Sequence, residues 1–373
     1  MKIALYSPYL PKHAGGGEKY LFDCAKILVE EGHEVSIAIS SEESSLTPEL
    51  EEMIKKKYEE FLNYSLANIK FIVSPLFTSA GFFKKLLWTA KFDVLYYQTD
   101  GSLFFSLAKK NILHLQIPLK LDKSSLLEKL KLANWQIKNT NSQFTKKYIE
   151  KFWQTKVDFV HQPYVKIDEF TDSTKTKLKK EKIILSVGRF FCQLHSKRQD
   201  ILVDFFKSLV QLDPQALQGW KLILLGQKED DIFAKKVESL AKNLNIEILH
   251  EADRLTLLRF YHQASIYWHA AGFEINEEEH PEKVEHFGIA TLEAMSAKAV
   301  PIVINKGGQK EILGESLKEC LWNDKNDCLA KTLELIKNDK KRENLANLAY
   351  ERSQFFSKEK FRSILLTMIG DRK

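Results

Sequence analysis

At 373 residues the chain is too long for one ordinary hydrophobic core and suits two domains of moderate size. Its 56 Lys and Arg against 50 Asp and Glu leave a net charge of +6, which permits contact with phosphates or anionic lipid but is not the footprint of a dedicated nucleic-acid binder. Cys24, Cys192, Cys320 and Cys328 form no C-x-x-C pair and no metal-ligand spacing with a histidine, so reduced thiols in a cytoplasmic setting are expected.

The opening MKIALYSPYL is short and soon meets Pro8 and Pro11; it reads as a buried strand rather than a signal peptide. Further strands are expected at 34–39, 69–73, 93–97, 111–115 and 157–160, with helices between them. The clearest helix, 17–31, stops at Gly32 as a C′ glycine should. The seam DEFTDSTKTKLKKEK, 168–182, is polar and without apolar periodicity, as a solvated linker is. Beyond it the rhythm resumes with strands at 182–187, 221–226, 246–249, 266–270 and 300–304. Near-continuous apolar strands alternating with helices argue for parallel sheets covered on both faces. The expected fold class is therefore α/β, with two doubly wound Rossmann-like domains facing across a cleft, residues 1–165 and 166–353. The amphipathic segment SQFFSKEKFRSILLTMIG (353–370) is expected to cross back to the first domain, with the C-terminal helix 354–373 joining it. No run of about eighteen uncharged apolar residues occurs.

Ligands of open α/β sheets sit outside the carboxyl ends of the strands, so residues just after strands carry the functional signal. HAGGGEKY (13–20) follows the first strand; its glycines let a backbone approach a phosphate or a sugar, or they make a plain turn. The spacing is not G-x-G-x-x-G, and Ser40 rather than an acid ends the second strand, which argues against a dinucleotide. After the first strand of the second half stand Arg189 and Lys197, two cations suited to a diphosphate or simply solvated. In EHFGIATLEAM (285–295), Glu285 and Glu293 would lie about 12 Å apart on a continuous helix. Reading Glu285 as loop and starting the helix near Ile289 lets both carboxylates flank an anion held by free N–H groups at Gly288 and Ile289. That arrangement suits a molecule with hydroxyls at both ends and phosphates in the middle, such as a nucleotide sugar.

Together these segments resemble the retaining GT-B glycosyltransferases of family four. GGGEKYLFDCAKILVEEGHEV, NSQFTKKYIEKF, VHQPYVKIDEF, VGRF and EHFGIATLEAMSAKAVPIVINKGGQKEIL follow the family's order and spacing. The resemblance implies that Glu285 contacts the transferred sugar and Glu293 the ribose. It implies that Arg189 and Lys197 hold the diphosphate, and that Phe287, Gly288 and Ile289 present the donor loop. Gly16 and Gly17 would line the other side of the cleft, and His114 would stand beside the sugar. The form EHFGI resembles the family's mannosyltransferases, which implies GDP-mannose. Three features depart from the family: Lys298 where a glycine usually ends the helix, Ala270-Ala271 where Pro-Ser often stands, and the acidic insert 274–285. His269 and His280 read as structural or solvated.

The implied activity is metal-independent, retaining transfer of a sugar from a nucleotide-diphosphate donor to a glycan or lipid-linked saccharide, with no cofactor beyond that donor. An epimerase of the same plan and a non-catalytic sugar-nucleotide binder are the rivals. GFFKKLLWTAKF (81–92) and 119–138 mix apolar side chains with lysines. They read either as helices packed on their own sheet or as a peripheral contact with the inner face of a membrane.

Overall fold

The computed structural model describes residues 1–12, 15–41, 45–121, 125–171 and 179–371. The chain divides into two compact units, Met1–Pro163 with Glu359–Lys373 and Tyr164–Lys358. The first holds strands β1 (Lys2–Tyr6), β2 (Glu34–Ser40), β3 (Lys70–Ser74), β4 (Val94–Gln98), β5 (Lys110–Leu115), β6 (Ile137–Thr140) and β7 (Phe159–Val160). They form one parallel sheet in the order β3-β2-β1-β4-β5-β6-β7. The second holds β8 (Glu181–Val187), β9 (Lys221–Leu225), β10 (Ile246–Leu249), β11 (Ala264–His269), β12 (Val300–Ile304) and β13 (Leu321–Trp322), parallel in the order β10-β9-β8-β11-β12-β13.

In both sheets the order reverses beside the first strand, between β1 and β4 and between β8 and β11. Such switch points open a crevice at the carboxyl ends of the strands. The central strands are buried along nearly their whole length, as sheets covered on both faces require.

The sequence reading lacks β6 and β13. β6 reads IKNT and ends in two polar residues that are nonetheless wholly buried. Asn139 survives there because its amide donates to Leu113 O at 3.2 Å and its oxygen accepts from neighbouring side chains. β13 is only two residues long.

The seam at 168–182 differs from a simple solvated linker. Residues 172–178 lie outside the described residues. Before them, Ile167–Thr171 is a short helix with Phe170 buried. After them, Lys180 Nζ donates to the carbonyls of Tyr261, Ala264 and Ala297 at 3.3, 2.7 and 2.6 Å. The units part at 358/359 rather than at 353/354. Phe356 is buried in the second core, its ring 5.7 Å from that of Phe287, which keeps the turn at 354–357 with the second unit. A separate helix, Lys358–Ile369, then packs on the first sheet, where Phe361 lies 3.9 Å from His161.

Candidate functional site

In the second unit the strand ends carry a charged cluster. Gly188 follows β8 and presses against the stem of Lys197, leaving no room for a Cβ. Lys197 Nζ ion-pairs with Glu285 Oε2. His269, the last residue of β11, meets the same oxygen through Nε2 at 2.9 Å. The second oxygen of Glu285 makes no hydrogen bond among the described residues. Burial alone would push this carboxyl up, but Lys197 and then His269 hold it well below the usual range, so it stays ionised.

His269 is itself held neutral by burial, which outweighs the carboxylate beside it. A neutral ring donating Nε2–H to Glu285 leaves Nδ1 as a bare acceptor, and that atom is buried without a partner among the described residues. Read from the sequence as structural or solvated, His269 is buried and bonded to Glu285, where its place at the end of β11 sets it. His195 and His286 flank the cluster with ring centroids 5.0 Å apart; burial holds both neutral, His286 at about 4.

Gly288, at φ 112°, is the residue before the helix Ile289–Ser296. The strain-free left-handed turn there needs glycine, and Gln309 Nε2 would lie 2.8 Å from any Cβ. The helix therefore begins at the expected residue, with Glu285 in the preceding loop. Gly307 and Gly308 pack directly on the backbone of 285–287, and Gly308 N donates to Glu285 O at 2.7 Å. Phe287 faces inward against Phe356. Lys298 does adopt the left-handed conformation, φ 59°. Its N–H reaches Met295 O at 3.0 Å and that of Ala299 reaches Ala294 O at 2.9 Å, a Schellman ending without its usual glycine.

Glu293 occupies a second cluster. One oxygen pairs with Arg254 Nη1 at 2.9 Å and the other accepts from Tyr261 OH at 3.0 Å. Arg254 also pairs with Glu169 at 2.8 Å. Burial opposes the arginine's charge, yet Glu293 and Glu169 raise its pKa above the ordinary value. Neither Arg254 nor Tyr261 was read from the sequence. Arg189 stands apart: its Nη1 is held by Glu229 at 2.9 and 3.0 Å, and its guanidinium stacks 4.8 Å from the Phe191 ring.

In the first unit the corresponding strand ends gather mostly neutral side chains, with Glu18 buried in the first turn after β1 and Asp100 beyond β4 accepting from Tyr97 and Ser102. Gly16 and Gly17 open the helix Gly16–Glu30. A Cβ on Gly17 would meet the side chains of Gln116 and Gln98 at 2.8 and 3.0 Å. Gln98 and His114 are register partners on β4 and β5, so their side chains leave the sheet on the same face. His114 Nδ1 donates to Asn139 Oδ1 at 2.6 Å, and its ring stacks 4.1 Å from Tyr20. Burial drives the His114 pKa down to about 4, with the Asn139 contact opposing. Its Nε2 and both amide atoms of Gln98 are buried without partners among the described residues. Tyr20 OH bonds Tyr96 OH at 2.6 Å and His161 Nδ1 at 2.5 Å. Among the described residues no group of three or more His, Cys, Asp or Glu side chains could hold a metal ion.

Two parallel α/β units with these strand orders constitute the GT-B fold, and solved structures share it. Anabaena HepE, crystallised with UDP, is 16% identical with TM-score 0.73, covering 100% of both chains. A glycosyltransferase from Rickettsia africae is 16% identical with TM-score 0.72, covering 100% of this chain and 99% of its own. WaaG, a glycosyltransferase involved in lipopolysaccharide biosynthesis, is 13% identical with TM-score 0.63, covering 97% and 99%.

Residues 168–352, nearly all of the second unit, match the family described as glycosyl transferases group 1. Together with the shared fold, that match supports a glycosyltransferase of group 1. A GDP-Man:Man(3)GlcNAc(2)-PP-Dol alpha-1,2-mannosyltransferase of Neurospora crassa is 27% identical over 195 residues, 46% of this chain and 33% of its own length. The matched region thus spans about a third of that curated relative.

Proposed function

We propose that the chain moves a sugar from a nucleotide-diphosphate donor to a hydroxyl of a glycan or lipid-linked saccharide, with the anomeric configuration kept. The observation that carries this reading is the ionised Glu285 bound by Lys197 and His269. It lies three residues before the Gly288 turn and its helix N-terminus. A sugar hydroxyl would donate to the open oxygen of Glu285, while Lys197 and the N–H groups at Gly288 and Ile289 meet the charge that grows on the departing diphosphate. Arg189, partly exposed, would exchange Glu229 for phosphate. Glu293, held by Arg254 and Tyr261, would turn its remaining lone pairs to the ribose hydroxyls.

Attack from the same face, with the donor phosphate taking the acceptor proton, needs neither a protein nucleophile nor a metal, and no further cofactor. The mannosyltransferase relative favours GDP-mannose as donor. The free state of all four cysteines fits a reducing, cytoplasmic setting.

The test is a panel of GDP- and UDP-sugars assayed for nucleoside diphosphate release with and without saccharide acceptors. Release from one donor, stimulated by an acceptor, is expected. Lys197→Met should lower kcat by about 10²–10³-fold. Binding of a nucleotide sugar with no release under any acceptor would make the chain a binding protein instead, and conversion of the donor to its epimer without release would make it an epimerase.

A further inference from the structure

A short surface helix normally hides its apolar side, and two helices of the first unit do the reverse. In Phe82–Thr89 the buried residues are Trp88 and Thr89, whereas Phe82, Phe83 and Leu87 are 55%, 77% and 65% exposed. In Leu126–Asn134 only Leu132 is buried, whereas Leu126, Leu127 and Leu130 are 74%, 55% and 52% exposed. At the helical period the exposed side chains span about 140° on the first helix and about 100° on the second, opposite Trp88 and Leu132. The expectation that these segments pack on their own sheet holds for Trp88, Thr89 and Phe92 in one and for Leu132 and Trp135 in the other, and fails for the exposed phenylalanines and leucines.

The two faces form one surface. Trp88 and Leu132 share a core cluster with Phe92 and Trp135. The segment between the helices bridges them: the Phe105 ring lies 6.4 Å from Phe82, Leu107 N donates to Thr89 Oγ1 at 2.9 Å, and Ser106 N donates to Asn134 Oδ1 at 2.7 Å. Leu107 is exposed as well. Around this apolar face Lys84 and Lys129 are exposed and pair with no acidic side chain among the described residues. Glu128 is neutralised by Lys131 at 2.7 Å. Phe82, Phe83, Leu126 and Leu127 stand in the first turns of helices that follow β3 and β5. In a parallel crossover those turns lie at the carboxyl edge of the sheet, the edge that also carries Gln98 and His114.

We infer that this face docks on an anionic bilayer surface, its phenylalanines and leucines entering the headgroup–acyl boundary and its lysines meeting anionic headgroups. The positive rim selects a negatively charged lipid surface over a neutral apolar partner. Among the described residues no helix is long and apolar enough to cross a membrane, so the contact is peripheral. The surface stands independently of the donor reading; only its use, presenting a lipid-carried acceptor to the strand ends, rests on it.

The experiment is co-sedimentation of the full chain with vesicles of phosphatidylcholine and phosphatidylglycerol at about three to one, against phosphatidylcholine alone, in about 0.1 and 0.5 M NaCl. Binding to the anionic vesicles, weakened by salt and largely lost on neutral ones, is expected. Phe83→Ser combined with Leu127→Ser should lower the bound fraction by about fivefold or more. Thermal stability and nucleoside diphosphate release from a soluble donor should stay as in the wild type. No sedimentation with any vesicle, or a double variant that pellets like the wild type, overturns the inference. So does a wild-type dimer that the double variant converts to monomer, because a second copy would then cover the face. None of these outcomes touches the donor panel, which tests the activity separately.

Discussion

The two units place their polar side chains at equivalent strand ends but spend them differently. In the first, Gln98, His114, Asn139, Tyr20 and His161 form a row of neutral donors and acceptors, with both histidines held uncharged by burial, at about 4 and about 3. In the second, Lys197 with Glu285 and Arg254 with Glu169 and Glu293 are ion pairs in partly buried surroundings. One parallel architecture therefore supports two chemistries. Neutral groups left unpartnered suit hydroxyls, whereas paired charges keep a carboxylate ionised and a cation ready for phosphate.

The largest expected break in that comparison is Arg254→Leu. It leaves Glu293 and Glu169 facing each other without their cation, at a cost of about 3–5 kcal/mol. Urea unfolding would show the second unit melting first; a wild-type midpoint would mean that the carboxylates find solvent, and that the charged cluster matters little for stability.

Acid sharpens the contrast. A buried neutral histidine takes up its proton later than it does in the unfolded chain. Stability therefore falls as pH drops from about 6.5 towards the folded value. At pH 5 His114, His161 and His286 should each cost about 2 kcal/mol, spread over both units. The pKa values of Glu285 and Glu169 are lowered by their cationic partners against the pull of burial. Their contribution is present above about 4.5 and is lost below it, so the second unit should lose the stability of its buried ion pairs there, whereas the lowered carboxylates of the first unit, Glu34 and Asp93, sit in exposed pairs that contribute little. Hydrogen exchange at pH 7, 5 and 4 would separate the two stages, and equal protection at all three would contradict both.

The smallest effect belongs to Lys298→Gly. Glycine relieves the left-handed strain at φ 59° but forfeits the contacts of Lys298 Nζ with Asn347 at 3.3 Å and with the Tyr350 ring. It also carries more unfolded-chain entropy, so a net gain of about 0.5–1 kcal/mol is expected, seen as about 2 °C in Tm. A fall in Tm would show that the lysine's contacts outweigh its backbone strain.

Much of this molecule is legible along the chain. Apolar runs of strand length placed eleven of the thirteen strands among the described residues near their positions. The glycine at 288 marked the start of its helix, and the misfit at Lys298 was visible as a lysine where a left-handed residue was needed. These are local properties, decided by side-chain period and backbone sterics within a few residues. Partnership is not local. His269 reaches Glu285 across 16 positions, Arg254 reaches Glu293 across 39, and Glu169 reaches Arg254 across 85. β6 escaped notice because hydrogen bonds, not apolar side chains, make Asn139 a core residue.

The sequence by itself determined the alternation of strands and helices and which side of each helix is apolar, because those follow from residue type and spacing. Tertiary structure alone decided which charges pair, which amide and imidazole are left without partners, and that the apolar sides of Phe82–Thr89 and Leu126–Asn134 point to solvent. The reason is physical: hydrogen bonds, Coulomb attraction and burial depend on distance in space, and separation along a chain does not encode that distance.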